Sequence, residues 1–188
     1  MMNVNENLLV MQPGDQIGPE IGEDYLKIYL SGSLDVGGSG IPWQQKFING
    51  LAAMTGPEQK EGVPDYRAFK FLVINPLGPA NGEPKVDNPE YVQKMQWEQG
   101  MMQQCDAIFC NFLKKSVKIS AISGLLLWAQ SGKVVCRCPM ESVFYGQVKI
   151  LSDIYGYPMV GDTGSVIKVM ETMFQSIPKF VELQNFNL

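Results

Sequence analysis

The chain has 188 residues, 45% of them hydrophobic and 18% charged, which suits one domain with a sizeable core and excludes a disordered segment. A net charge of -4 argues against general nucleic-acid binding, which needs a basic face. Histidine is absent, which removes Ser/His/Asp triads, Cys/His pairs and His-ligated zinc together and leaves acid–base work to carboxylates, Tyr, Lys or Cys.

Residues 1–24 read as an N-terminal extension rich in Asn, Gly, Gln and Pro, with little regular structure beyond a short hairpin around QPGD. MMNVNENLLVMQPGD lacks the basic start and apolar centre of a signal peptide, and no apolar run is long enough to span a bilayer. The expected setting is the cytoplasm, with no membrane partner. Cys105, Cys110, Cys136 and Cys138 are then expected to be buried free thiols, and no metal site or cofactor is expected.

Residues 25–188 read as one domain in which strands and helices alternate. Leu26 to Gly32 is a first buried strand. Ile41 to Met54 places Trp43, Phe47, Leu51 and Met54 at helical spacing, with Pro42 in the first turn. Ala68 to Pro76 is a second strand. Asn88 to Gln104 is a helix that Asn88 caps ahead of Pro89. Cys105 to Phe112 is a third strand, Lys118 to Gly132 a helix, and Lys133 to Pro139 a fourth strand. Ser142 to Gly156 is a helix, Tyr157 to Asp162 a short fifth strand, and Thr163 to Phe180 a last helix. This alternation implies right-handed crossovers and an α/β, flavodoxin-like, doubly wound sandwich with a five-stranded parallel sheet of order 2-1-3-4-5. In such sheets ligands sit beyond the carboxyl ends of the strands, at the switch point between strands one and three.

That rule selects the loops to search. SGSLDVGGSG, after the first strand, can cradle an anion with backbone N–H groups or act as a flexible linker; Asp35 within it can bind a sugar hydroxyl or cap a turn. Asn75 follows the second strand, where its amide can reach a ligand or simply form a turn before Pro76. Asn111 ends the third strand, and Lys114, Lys115 and Lys118 lead into the next helix, whose dipole adds to their attraction for an anion. Glu141 and Tyr145 follow the fourth strand. Glu98 shares a helical stripe with Tyr91, Met95 and Met102 and so faces a cleft or the core edge. Asp106 opens the third strand, far from its carboxyl end, and reads as a structural cap. From Ala107 to Met140 there is no Asp or Glu.

IYLSGSLD, WQQKFINGL, FLVINP, QWEQGMMQQCDAIFCNF, GLLLWAQSGKVVCRCP and FYGQVKIL, in that order from about Lys27 to Ile150, resemble the nucleoside 2-deoxyribosyltransferase-like family. The resemblance implies a flavodoxin-like homo-oligomer whose sites are often completed by a neighbouring subunit. It implies cleavage of the N-glycosidic bond of a 2'-deoxynucleoside by a nucleophilic Glu, through a covalent deoxyribosyl intermediate, or hydrolysis of nucleoside monophosphates in one branch. Matched by position, Gly32 and Ser33 are first-loop substrate contacts, Asn75 and Pro76 the second loop, Trp97 and Glu98 a Trp-Glu pair, and Asp106 the opening Asp of the third strand. The nucleophile's place falls on Gly124, and Lys114 and Lys115 stand where the family's loop supplies an Asp. The expected function is therefore binding of a nucleoside, nucleotide or nucleotide-derived signal with catalysis lost. The alternatives are an active transferase or hydrolase using Glu141 or Glu98, and a ligand-free interaction domain.

Overall fold

Continuous apolar runs make strands that are covered on both faces, and the centre of the sheet follows this rule. The computed structural model describes residues 1–19, 21–33, 41–58, 61–77, 85–115, 119–161 and 165–186. Within them β3 (Tyr25–Gly32), β4 (Lys70–Ile74), β5 (Ala107–Asn111), β6 (Val134–Arg137) and β7 (Met159–Val160) run parallel in the order β4-β3-β5-β6-β7. This is the expected 2-1-3-4-5 order.

The sheet is nevertheless larger than five strands. β1 (Met2–Asn5) and β2 (Leu8–Met11) extend it beyond β4, giving seven strands among the described residues in the order β1-β2-β4-β3-β5-β6-β7. β1 is antiparallel to β2, so the sheet is mixed rather than all parallel. The physical reason is burial: Leu8, Val10 and Met11 lose nearly all solvent contact when β2 lies parallel to Phe71–Ile74. The hairpin turns at Glu6 and Asn7, where the Asn7 N–H donates to Asn5 Oδ1 at 2.9 Å, and not at QPGD.

α1 (Trp43–Thr55), α5 (Val166–Ser176) and α6 (Pro178–Phe186) pack on one face of the sheet. α2 (Pro89–Gln104), α3 (Ile119–Trp128) and α4 (Tyr145–Tyr155) cover the other. Asn88 caps α2 through its side chain, which accepts the Glu90 and Tyr91 N–H groups. The last expected helix is split. Buried Ile177 ends α5 and Pro178 opens α6, because a proline fits a first helical turn but not a helix interior.

At the amino ends of the strands, Asp106 ties three elements together. Its Oδ2 accepts the Lys27 N–H at 2.8 Å and the Lys179 ammonium at 3.2 Å, and Lys179 also donates to the Tyr25 carbonyl at 3.1 Å. This joins the starts of β3 and β5 to α6, at the end of the sheet away from the ligand loops. Asp106→Ala leaves the Lys27 N–H without its acceptor and should cost about 1–3 kcal/mol. A lowered urea midpoint would show it, with Asp106→Asn recovering part of the loss.

Candidate functional site

β3 and β5 end in close contact. Gly32 has φ +130°, and a Cβ there would lie 2.2 Å from the Asn111 carbonyl oxygen, so glycine is required. Ser33 fixes the exit from this join. Its N–H donates to the Asn111 carbonyl at 2.9 Å, its carbonyl accepts the Trp43 indole N–H at 2.8 Å, and its Oγ accepts the Leu113 N–H at 3.4 Å. Beyond this point the chain leaves toward α1 on one face and toward α3 on the other, which opens a crevice at the switch point.

The crevice holds about 140 Å³. Tyr29, Ser31 and Gly32 of β3 form its floor. Gln44 of α1, Leu77 after β4, Lys94 and Glu98 of α2 and Ala121 of α3 form its walls. The Glu98 side chain is 21% exposed, with the Lys94 ammonium 4.0 Å away. Burial raises its pKa above the ordinary carboxylate value, and Lys94 opposes that rise. The Tyr29 hydroxyl is also held protonated, first by burial and then by the charge of Glu98. A carboxyl group kept partly dry in this way can hold and donate a proton.

Position 124 also faces this space. A Cβ built on Gly124 meets the Ser31 Oγ at 3.5 Å, an ordinary contact, and Ser31 lines the crevice. The position that the sequence resemblance assigned to a nucleophile therefore abuts a crevice residue and carries no side chain.

The other sequence-selected residues lie around the crevice. The buried Asn75 side chain accepts the Leu77 N–H at 3.1 Å, which makes a local turn. Asn111 accepts from Arg137 at 3.0 Å and lines a separate groove with Trp43 and Phe109. Glu141 is exposed and paired with Lys114 at 2.5 Å; that hydrogen bond, above all, lowers its pKa. Lys115 is exposed, and Tyr145 lines another groove with Cys138 and Met159. Asp35 and Lys118 lie outside the described residues. The structure thus brings Gly32 and Glu98 into one crevice, with Gly124 against its floor, and sets Glu141 apart from them.

Burial pushes Cys105 and Cys110 up to about 12 and raises Cys136 well above its ordinary value, so none of these three thiols is an activated nucleophile. Among the described residues no group of three Cys, Asp or Glu is placed to hold a metal. Sequence reasoning missed Tyr29, Gln44 and Lys94, and took Ser31 only as the start of the first loop. The signals were available: Tyr29 and Ser31 alternate with Leu30 along the strand, and Lys94 stands one turn before Glu98.

A family model described as nucleoside 2-deoxyribosyltransferase like matches residues 25–142. No curated protein matches the chain. The matched stretch begins with β3 and contains every residue lining the crevice, while β1, β2 and α4 to α6 fall outside it.

Because the folded state raises the Glu98 pKa, it favours the protonated form. That contribution to stability is complete below the ordinary carboxylate pKa and is lost as pH rises through the raised one. Glu98→Gln should therefore gain thermal stability over the native chain as pH climbs from 4 toward 8. A melting-temperature difference that stays flat with pH would mean that Glu98 is not desolvated.

Proposed function

The chain belongs to the nucleoside 2-deoxyribosyltransferase-like family, and we propose that it binds a nucleoside or nucleotide in the crevice at the carboxyl ends of β3 and β5 without forming a glycosyl–enzyme bond through α3. The observation that carries this is Gly124, which abuts Ser31 of the crevice floor. Covalent glycosyl transfer needs a carboxylate oxygen to bond to the anomeric carbon, and glycine has none. No shift of register along α3 supplies one, because residues 107–140 contain no Asp or Glu. A site of this kind retains binding, and so sequestration or sensing. Lys94 in the crevice supports an anionic ligand such as a monophosphate.

One observation favours a second reading. Glu98 stands in the crevice, half-dry and with a raised pKa, as a relocated carboxylate for N-glycosidic cleavage would. Incubation with 2'-deoxynucleosides and their 5'-monophosphates, followed by chromatography for free base and by thermal melting, separates the two. The native chain should release no base, and a saturating ligand at about 100 Kd should raise the melting temperature by roughly 5–10 °C. Gly124→Glu, which restores an acid beside Ser31, should release base. Base release by the native chain that Glu98→Gln abolishes would replace binding alone with the second reading. No shift and no release would leave a ligand-free interaction domain.

We also propose that the chain pairs with a second copy through the outer face of α3 and α4. Leu126, Leu127, Val143, Ile150, Ile154 and Tyr155 are exposed there. Large exposed apolar side chains grouped on neighbouring elements mark protein contacts more often than singly scattered ones do. Lys149 and Asp153 on this face pair with each other, so two copies of it meet without like-charge repulsion. Light scattering should give at least twice the 20.9 kDa chain mass, and Ile150→Asp with Ile154→Asp should return it to one chain.

A further inference from the structure

The described residues of the crevice enclose less space than the whole ligand assigned to it above would fill. About 140 Å³ accommodates a sugar-sized group, whereas small-molecule sites usually run to roughly 300–1,000 Å³. A second groove, of about 430 Å³, lies across Lys94. Pro13, Gly14 and Gln16 of the N-terminal extension form one side of it, and Glu90, Gln93, Lys94 and Trp97 of α2 form the other. Lys94 lines both spaces, so they adjoin.

The extension is firmly placed against α2. The Asn75 N–H donates to the Met11 carbonyl at 2.9 Å and holds the end of β2 beside β4. A turn then closes through Asp15: its N–H donates to the Gln12 carbonyl at 3.0 Å, and its carboxylate accepts the Gln12 N–H at 2.9 Å and the terminal ammonium of Met1 at 2.7 Å. The Asp15 carbonyl in turn accepts the Trp97 indole N–H at 2.6 Å. The aromatic wall of the groove is thus oriented by the extension, which lies outside the family match over residues 25–142.

We propose that this groove, built by the N-terminal extension against α2, is the nucleobase subsite of the protein. The proposal rests on nucleoside binding in the adjoining crevice. A nucleobase is flat, aromatic and edged with donors and acceptors. An indole wall supplies apolar contact to such a ring. Two carboxamides, Gln16 and Gln93, can each offer both a donor and an acceptor to its edge. The extension is then a specificity element added to the family domain.

Calorimetric titration of the full chain tests this, with the four common 2'-deoxynucleosides, their 5'-monophosphates and 2-deoxyribose 5-phosphate as probes. Gln16 and Gln93 are both exposed, so a Gln16→Ala, Gln93→Ala chain keeps the fold. It should bind the preferred nucleoside or nucleotide about tenfold more weakly, as expected for two lost hydrogen bonds. Its affinity for 2-deoxyribose 5-phosphate should stay within about twofold. Nucleoside affinity unchanged in the double variant, or an equal loss for the sugar phosphate, overturns the subsite while nucleoside binding stands. A native chain that binds none of the nucleosides or nucleotides overturns both.

Discussion

The contact between the ends of β3 and β5 governs the rest of the site. Gly32 lets the two backbones approach to a distance that any side chain would block. Ser33 can then spend its N–H, carbonyl and hydroxyl on Asn111, Trp43 and Leu113. With its indole N–H fixed, Trp43 packs edge-on against Phe109 at 5.6 Å, and Phe47 stacks on the same ring at 5.6 Å. These contacts set the rotation of α1, and with it the direction of Gln44, the next residue after Trp43, into the crevice. One missing Cβ therefore reaches the crevice wall through a chain of hydrogen bonds and ring contacts.

The core of the fold was legible in the sequence because its strands are apolar runs bounded by glycine and proline, alternating with helices long enough to show their period. Strand order followed from the handedness of the crossovers. The N-terminal hairpin was not legible for the opposite reason. β1 and β2 are four residues each, too short to show a period, and Asn and Glu dominate the turn between them. β2 is held by its parallel pairing with β4, some sixty residues away, and that contact leaves no local trace. The break between α5 and α6 was signalled by Pro178 but hidden by an apolar period that runs through Ile177.

Within the site, a residue's legibility depended on what else could claim it. Glu98 stood out because a carboxylate on an apolar helix stripe must find either a cleft or a partner, and here Lys94 and the crevice supply both. Glu141 had an equally good sequence position, but Lys114 holds it at the surface. Asn75 and Ser33 illustrate the commoner outcome: small polar residues at strand tips are drawn into hydrogen bonds with the backbone beside them. Competition of this kind is a matter of distances, and spacing along the chain does not reveal it.

The glycine at position 124 also changes the electrostatics of the crevice. Tyr29, which feels the charge of Glu98, and Ser31, which abuts position 124, lie two residues apart on one face of β3. An acid at position 124 would therefore add a second negative charge beside the one that Glu98 brings to the crevice. Like charges in a partly dry crevice repel each other, and both would repel a phosphate. With glycine there, Glu98 is the one carboxylate lining the crevice among the described residues, and the Lys94 ammonium lies within 4.0 Å of it. The lining is then close to neutral when Glu98 is ionised and positive when it is protonated. The glycine that leaves α3 without a carboxylate thus also keeps a second negative charge away from Lys94 and Glu98.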